Sequence, residues 1–144
     1  MLVKQLSVFV ENKPGRLGAV IEELGKKGID ISALSLADTS EYGILRLIVN
    51  KPDEAKMALR EIGVIVKIAQ VVAVPMDDTP GGLSKILSVF SGNNINVDYM
   101  YAFVGAVSGK ALMVVKVSDP QLAESALDSA GIPHADAKDL YRLY

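Results

Sequence analysis

Two periods of hydrophobicity run along this chain, and each occurs twice. From Leu2 to Val10 apolar and polar residues alternate in a β-rich stretch, which predicts a strand. Beyond Pro14, the apolar residues Leu17, Val20, Ile21 and Leu24 fall at i, i+3, i+4 and i+7, one face of an amphipathic helix. Proline suits the first turn of such a helix, and Gly28 suits its C-terminal end. Ile31 to Ala37 then predicts a strand, Thr39 to Gly43 a turn, and Ile44 to Val49 another strand. Asn50 is placed to cap a helix over Pro52 to Ile62, and a fourth strand falls within Val64 to Gln70.

The same order then begins again. Pro14-Gly15 recurs as Pro80-Gly81, 66 residues on (80 − 14). At that shift the helical apolar set becomes Leu83, Ile86, Leu87 and Phe90, and Gly28-Ile29-Asp30-Ile31 becomes Asn94-Ile95-Asn96-Val97. Pro52, Ala55, Ala58, Leu59 and Ile62 recur as Pro120, Ala123, Ala126, Leu127 and Ala130, a shift of 68 (120 − 52). Two extra residues therefore enter the second copy, most naturally in the loop Gly105 to Gly109. Its first strand covers Val71 to Met76, its middle strands Val97 to Val104 and Lys110 to Val117, and its last strand falls near Ile132 to Ala137, where Pro133 and His134 weaken the pattern.

The order βαββαβ is a split βαβ unit, with two helices on one face of an antiparallel sheet. The fold class is α+β: two ferredoxin-like domains, residues 1–70 and 71–144. On the third strand Leu45, Leu47 and Val49 form one wholly apolar face, expected under the helices. The other face, Ile44, Arg46 and Ile48, is still too apolar for free exposure to water. Domains of about 70 residues are marginal alone. Both facts call for the copies to pack on each other or in a homodimer.

Composition narrows the chemistry. Of 144 residues, 50% are hydrophobic and 22% charged, and the net charge is −2, so bulk charge attracts neither nucleic acid nor an acidic membrane. Without cysteine there is no disulfide, thiolate metal site or thiol nucleophile, which fits a cytoplasmic protein. No signal peptide or transmembrane run is evident. His134, the single histidine, reads as a surface residue; Asp77-Asp78 and Lys26-Lys27 read as solvated. No catalytic group, metal site or cofactor follows from these residues.

This fold hosts many functions, so the site has to choose between them. Tyr99, Tyr101 and Phe103 alternate on one strand, as in RNA-recognition domains, but the chain is acidic and lacks their basic-aromatic consensus. Arg16 stands where an acylphosphatase-like loop would place an arginine, without the glycine-rich consensus; Gly82 replaces it in copy two. What the copies share is the loop after the first strand: Glu11-Asn12-Lys13-Pro14-Gly15-Arg16-Leu17 and Asp77-Asp78-Thr79-Pro80-Gly81-Gly82-Leu83. Followed by Gly28-Ile-Asp-Ile31 and Asn94-Ile-Asn-Val97, this resembles the ACT domains over the whole chain, twice. It is most similar to the free-standing tandem ACT proteins, notably along Ile95 to Phe103.

The resemblance implies a regulatory protein, not an enzyme, that binds a free amino acid where ACT domains meet. The residues it assigns to the ligand are Asn12, Gly15, Arg16, Leu17, Asp30 and Ile31 in copy one, and Asp78, Pro80, Gly81, Gly82, Leu83, Asn96 and Val97 in copy two. The physics agrees. Gly15 and Gly81 let a ligand approach the backbone, the helix start suits an α-carboxylate, and Asn12, Asp78, Asp30 and Asn96 can accept from an α-ammonium. The first strand and helix are expected to bring these groups to one end of the domain. A pure interaction module, with the loop a plain helix entry capped by Asn12 or Asp78, is the other reading. If the copies pair about a pseudo-two-fold axis, one site joins Asn12 to Asn96 and is neutral, while the other joins Asp78 to Asp30. On either pairing the chain would pass its signal to a separate partner, such as a regulated enzyme, or act as an amino-acid-binding protein alone.

Overall fold

The computed structural model describes residues 2–38, 41–77, 79–102 and 110–135. Among them are six strands and four helices: β1 (Val3–Glu11), α1 (Arg16–Lys26), β2 (Ile31–Asp38), β3 (Tyr42–Val49), α2 (Pro52–Glu61), β4 (Ile65–Asp77), α3 (Gly82–Gly92), β5 (Val97–Ala102), β6 (Lys110–Val117) and α4 (Pro120–Ser129). The fold is α+β, as two ferredoxin-like repeats require. Contacts divide the chain into two units. One runs from Lys4 to Ala69; the other takes Gln70 onward with the first residues of the chain.

In the first unit the strands lie in the order β2-β3-β1-β4, with β3 antiparallel to both neighbours. Alternation sets its core. Leu6 pairs with Leu47 and Val8 with Leu45, all pointing to the helix side, where Val20, Leu24, Ala55 and Leu59 close over them. The half-set Leu17 and Ile21 stays 37% exposed, so α1 buries a narrower stripe than its periodicity suggests. On the opposite face Gln5, Ala33 and Ile48 are fully buried, and Ile44 and Arg46 half-buried. Exposed apolar surface lies instead at Leu34 and Leu36 of the edge strand β2, 45% and 51% exposed.

The second unit repeats the order as β4-β6-β5, again antiparallel. Its core joins Ile86 and Phe90 of α3 to Ala123, Ala126 and Leu127 of α4 over Val72, Val74, Met113, Val115 and Val117. No loop separates the copies, since β4 is one strand of 13 residues. The last strand of copy two shrinks, among the described residues, to a single antiparallel bridge between Ala73 and Ala135. Pro133 offers no N–H for a ladder. His134 turns instead to α4, with Nε2 2.9 Å from Asp128 and Nδ1 3.3 Å from Glu124. It is not the surface residue its position suggested, for its side chain is only 15% exposed. His134→Ala is expected to cost about 1–2 kcal/mol in chemical denaturation, mostly through the shielded Glu124, because Asp128 is 68% exposed.

All four helices close alike. Ile29, Val64, Ile95 and Ile132 each donate from N–H to the carbonyl five residues earlier, of Leu24, Leu59, Phe90 and Leu127 respectively. The residue before each is left-handed: Gly28, Gly63, Asn94 and Gly131. This closure satisfies terminal carbonyls and returns an apolar residue to the core. The starts differ from expectation. Pro14 and Pro80 precede their helices by two residues, because Gly15 and Gly81 adopt φ of 85° and 89° and act as the caps. Asn50 caps nothing; Lys51 holds that place, and the Asn50 side chain turns to the start of β2.

Candidate functional site

The first strand hands over to the first helix in a tight turn. Asn12 donates from its N–H to the Glu41 carbonyl, Lys13 to Glu11, and Arg16 to Lys13. No side chain caps α1, so Asn12 does not serve as the helix cap. The first intrahelical bond runs from Ala19 N–H to the Gly15 carbonyl, which leaves the N–H groups of Leu17 and Gly18 outside the ladder. In copy two the Gly82 N–H donates to Thr79. Asp78 lies outside the described residues. A Cβ on Gly82 would overlap the carbonyl of Asp77, so glycine is required where copy one holds Arg16.

The other half of the predicted site is the start of β2 and of β5. Here a bracket recurs. The Asp30 N–H donates to Asn50 Oδ1 at 3.0 Å, and the Asn50 N–H donates back to the Asp30 carbonyl at 3.2 Å. In copy two the Asn96 N–H donates to Ser118 Oγ at 3.1 Å, and the Ser118 N–H returns to the Asn96 carbonyl at 3.0 Å. A register shift follows at once in both strands, between Ile31 and Ala33 and between Val97 and Tyr99. In copy two the displaced residue, Asp98, accepts at 3.1 Å from Asn96 Nδ2, with Lys116 Nζ 3.7 Å away. A carboxylate only accepts, so the Asn96 amide is oriented with Oδ1 left to accept.

These two halves do not meet within one domain, contrary to the expectation of a shared end. Glu11, beside Asn12, pairs with Tyr42 at the start of β3, whereas Asp30 is bracketed beyond its end by Asn50. A strand of eight residues separates them, roughly 24 Å at the usual rise. Copy two is alike: Asp77 pairs with Lys110 at the start of β6, and Asn96 is held at Ser118 beyond its end.

What lies beside the loop in each domain is a cleft. In copy one it measures about 460 Å³ and runs from the end of β1 (Phe9 to Glu11) along α1 from Arg16 to Lys26 to the turn Ile62 to Ile65. In copy two the equivalent cleft measures about 160 Å³ and uses Pro75 to Asp77, Gly82, Lys85, Ile86 and Gly131 to Pro133. Arg16 and Gly82 therefore line a cleft, as well as opening a helix. Arg16 Nε stands 3.8 Å from Glu11, whose carboxylate also faces Lys13 Nζ at 3.5 Å. Sequence reasoning missed Glu11, Ala19 and the 62–65 turn. The recurrence of Gly63 as Gly131 was the available signal. Among the described residues no cluster suits a metal ion, and no helix is long and apolar enough to cross a membrane.

Comparison with known proteins gives a consistent picture. The family described as the ACT domain pair matches residues 1–143. Protein BT0572 from Bacteroides thetaiotaomicron is 38% identical, with 98% of this chain and 96% of that one covered and a TM-score of 0.92. The regulatory subunit of aspartate kinase from Thermus thermophilus, in a ligand-free form, shares the fold at 18% identity, with 90% and 91% covered and a TM-score of 0.65. Its counterpart from Thermus flavus, also 18% identical, covers 98% and 94% at a TM-score of 0.62. No curated protein matches the sequence.

Proposed function

We propose that this chain, which belongs to the ACT domain pair family, is a non-catalytic regulatory protein that binds a free amino acid and passes the signal to a separate enzyme. The observation that carries this reading is the oriented Asn96 amide, whose Nδ2 is taken by Asp98 and whose Oδ1 can accept from an ammonium. The uncapped start of α1 at Gly15, with Asn12 beside it, suits the carboxylate end of the same ligand. Because each domain holds these halves at opposite ends, a site takes its loop residue and its strand-start residue from different ACT-type domains. A homodimer is part of this reading, and the exposed Leu34 and Leu36 on edge strand β2 support it.

The test is thermal unfolding of the full chain against each of the twenty amino acids. A ligand at a hundred times its Kd adds about 2.7 kcal/mol to stability. At this chain length that raises Tm by roughly 5–10 °C. A flat response to all twenty rejects the sensor and leaves a protein interaction module, for which the same exposed leucines would be the contact.

A further inference from the structure

We infer that copy one carries a second, self-contained ligand site: the cleft along α1, which takes a small zwitterion with an apolar side chain. It is built by one domain alone and so does not depend on the loop-and-strand site. Its volume of about 460 Å³ falls in the range usual for small-molecule pockets, roughly 300–1,000 Å³. Its walls are apolar at Val20, Ile62, Val64 and Ile65. Its rim carries both signs of charge.

That rim can rearrange around a ligand. The Arg16–Glu11 contact is long at 3.8 Å, and the Lys26–Glu22 pair stands at 3.7 Å on the helix surface. Exposed pairs of this kind hold weakly. Arg16 is thus available to a ligand carboxylate, and Glu23, further along the same face of α1, to an ammonium. An apolar side chain then enters between α1 and the Ile62–Ile65 turn. A purely anionic ligand would meet Glu11, Glu22 and Glu23, and a purely cationic one would meet Arg16 and Lys26, so a zwitterion matches best.

The second copy supplies the comparison. The same crevice exists there, but Lys85 stands where copy one has Ala19, Gly82 replaces Arg16, and the volume falls to about 160 Å³. Space and the guanidinium are lost together. The duplicated frame makes a crevice in both domains; the side chains of copy one keep it open and charged.

The full chain, labelled with 15N, is titrated with L-leucine and with L-phenylalanine, and amide shifts are followed in the wild type, Ala19→Lys and Asn12→Leu. Ala19 is exposed on α1, so lysine there should fill the cleft without unfolding the domain, which circular dichroism checks. Expected are saturating shifts at Ala19, Glu23, Gly63 and Val64 with at least one of the two ligands, weakened tenfold or more by Ala19→Lys and kept in Asn12→Leu. Unchanged affinity in Ala19→Lys, shifts confined to residues 12–17, or no shifts with either ligand would overturn the proposal. Cleft shifts that survive Asn12→Leu keep it standing even where the loop site fails.

Discussion

Gly82→Ala is expected to destabilise the second domain by about 2–3 kcal/mol, the scale of overpacking against atoms that cannot move aside. The added methyl would occupy the space of the Asp77 carbonyl oxygen, which is main chain and is held by the pairing of Asp77 with Lys110. Relief requires either the end of β4 or the first turn of α3 to shift. The matched control is Arg16→Ala in copy one, where a Cβ is already present. That change should stay within about 0.5 kcal/mol, as exposed substitutions do. Urea unfolding of the two variants decides it. Equal midpoints would mean that the strand-to-helix turn of copy two yields freely, and that its glycine is a choice rather than a requirement.

The second large effect concerns binding. Replacing Asn12 or Asn96 by leucine is expected to abolish amino-acid binding at the loop-and-strand site in calorimetry, with affinity there reduced a hundredfold or more, while the α1 cleft of copy one keeps its own binding. Asp30→Asn should leave affinity at the loop-and-strand site within twofold. Asn12 and Asn96 are neutral amides, while Asp78 and Asp30 are carboxylates. A pair of carboxylates in one site, about 5 Å apart, would repel by on the order of 3 kcal/mol at an effective dielectric of 20, and a ligand carboxylate would worsen this. The structure adds a reason on the other side. The Asp98 carboxylate behind Asn96 favours an ammonium there, while Lys116 at 3.7 Å offsets its charge. Asn96→Leu removes the acceptor but not the fold, because the bracket to Ser118 is made by the Asn96 main chain. The reverse pattern, with Asp30→Asn abolishing binding, would place the ligand at the carboxylate site.

Most of the fold was legible because repetition doubled every weak signal. Pro-Gly twice, an i, i+3, i+4, i+7 face twice and two alternating strands per copy leave few other topologies. Where the reading failed, a longer-range partner had won. Asn50 has the right type and place to cap α2, yet the start of β2 needed a partner and took it, and no local pattern shows this. Asn12 and Asp30 are near in sequence but are separated by the length of a strand, since α1 carries the chain back before β2 begins. The requirement for Gly82 depends on where the Asp77 carbonyl lies, a tertiary fact. The cleft depends on the closing turn of α2, whose glycine recurred in plain sight as Gly63 and Gly131 without an obvious meaning until the closure of the helix was seen.

The bracket at the start of β2 and of β5 has a consequence for how such a protein can change. It grips residues 30 and 96 only through their main-chain N–H and C=O groups, and it does so with asparagine in one copy and serine in the other. The bracket therefore asks nothing of the side chains at these two positions, and the contact from Asn96 Nδ2 to Asp98 is exposed. Natural drift can exchange amide for acid there at little structural penalty, as the two copies already have. A protein engineer can do the same, exploring every residue except proline, which lacks the N–H the bracket needs, at 30 and 96 on the same scaffold, so that new ligand preferences become reachable one substitution at a time.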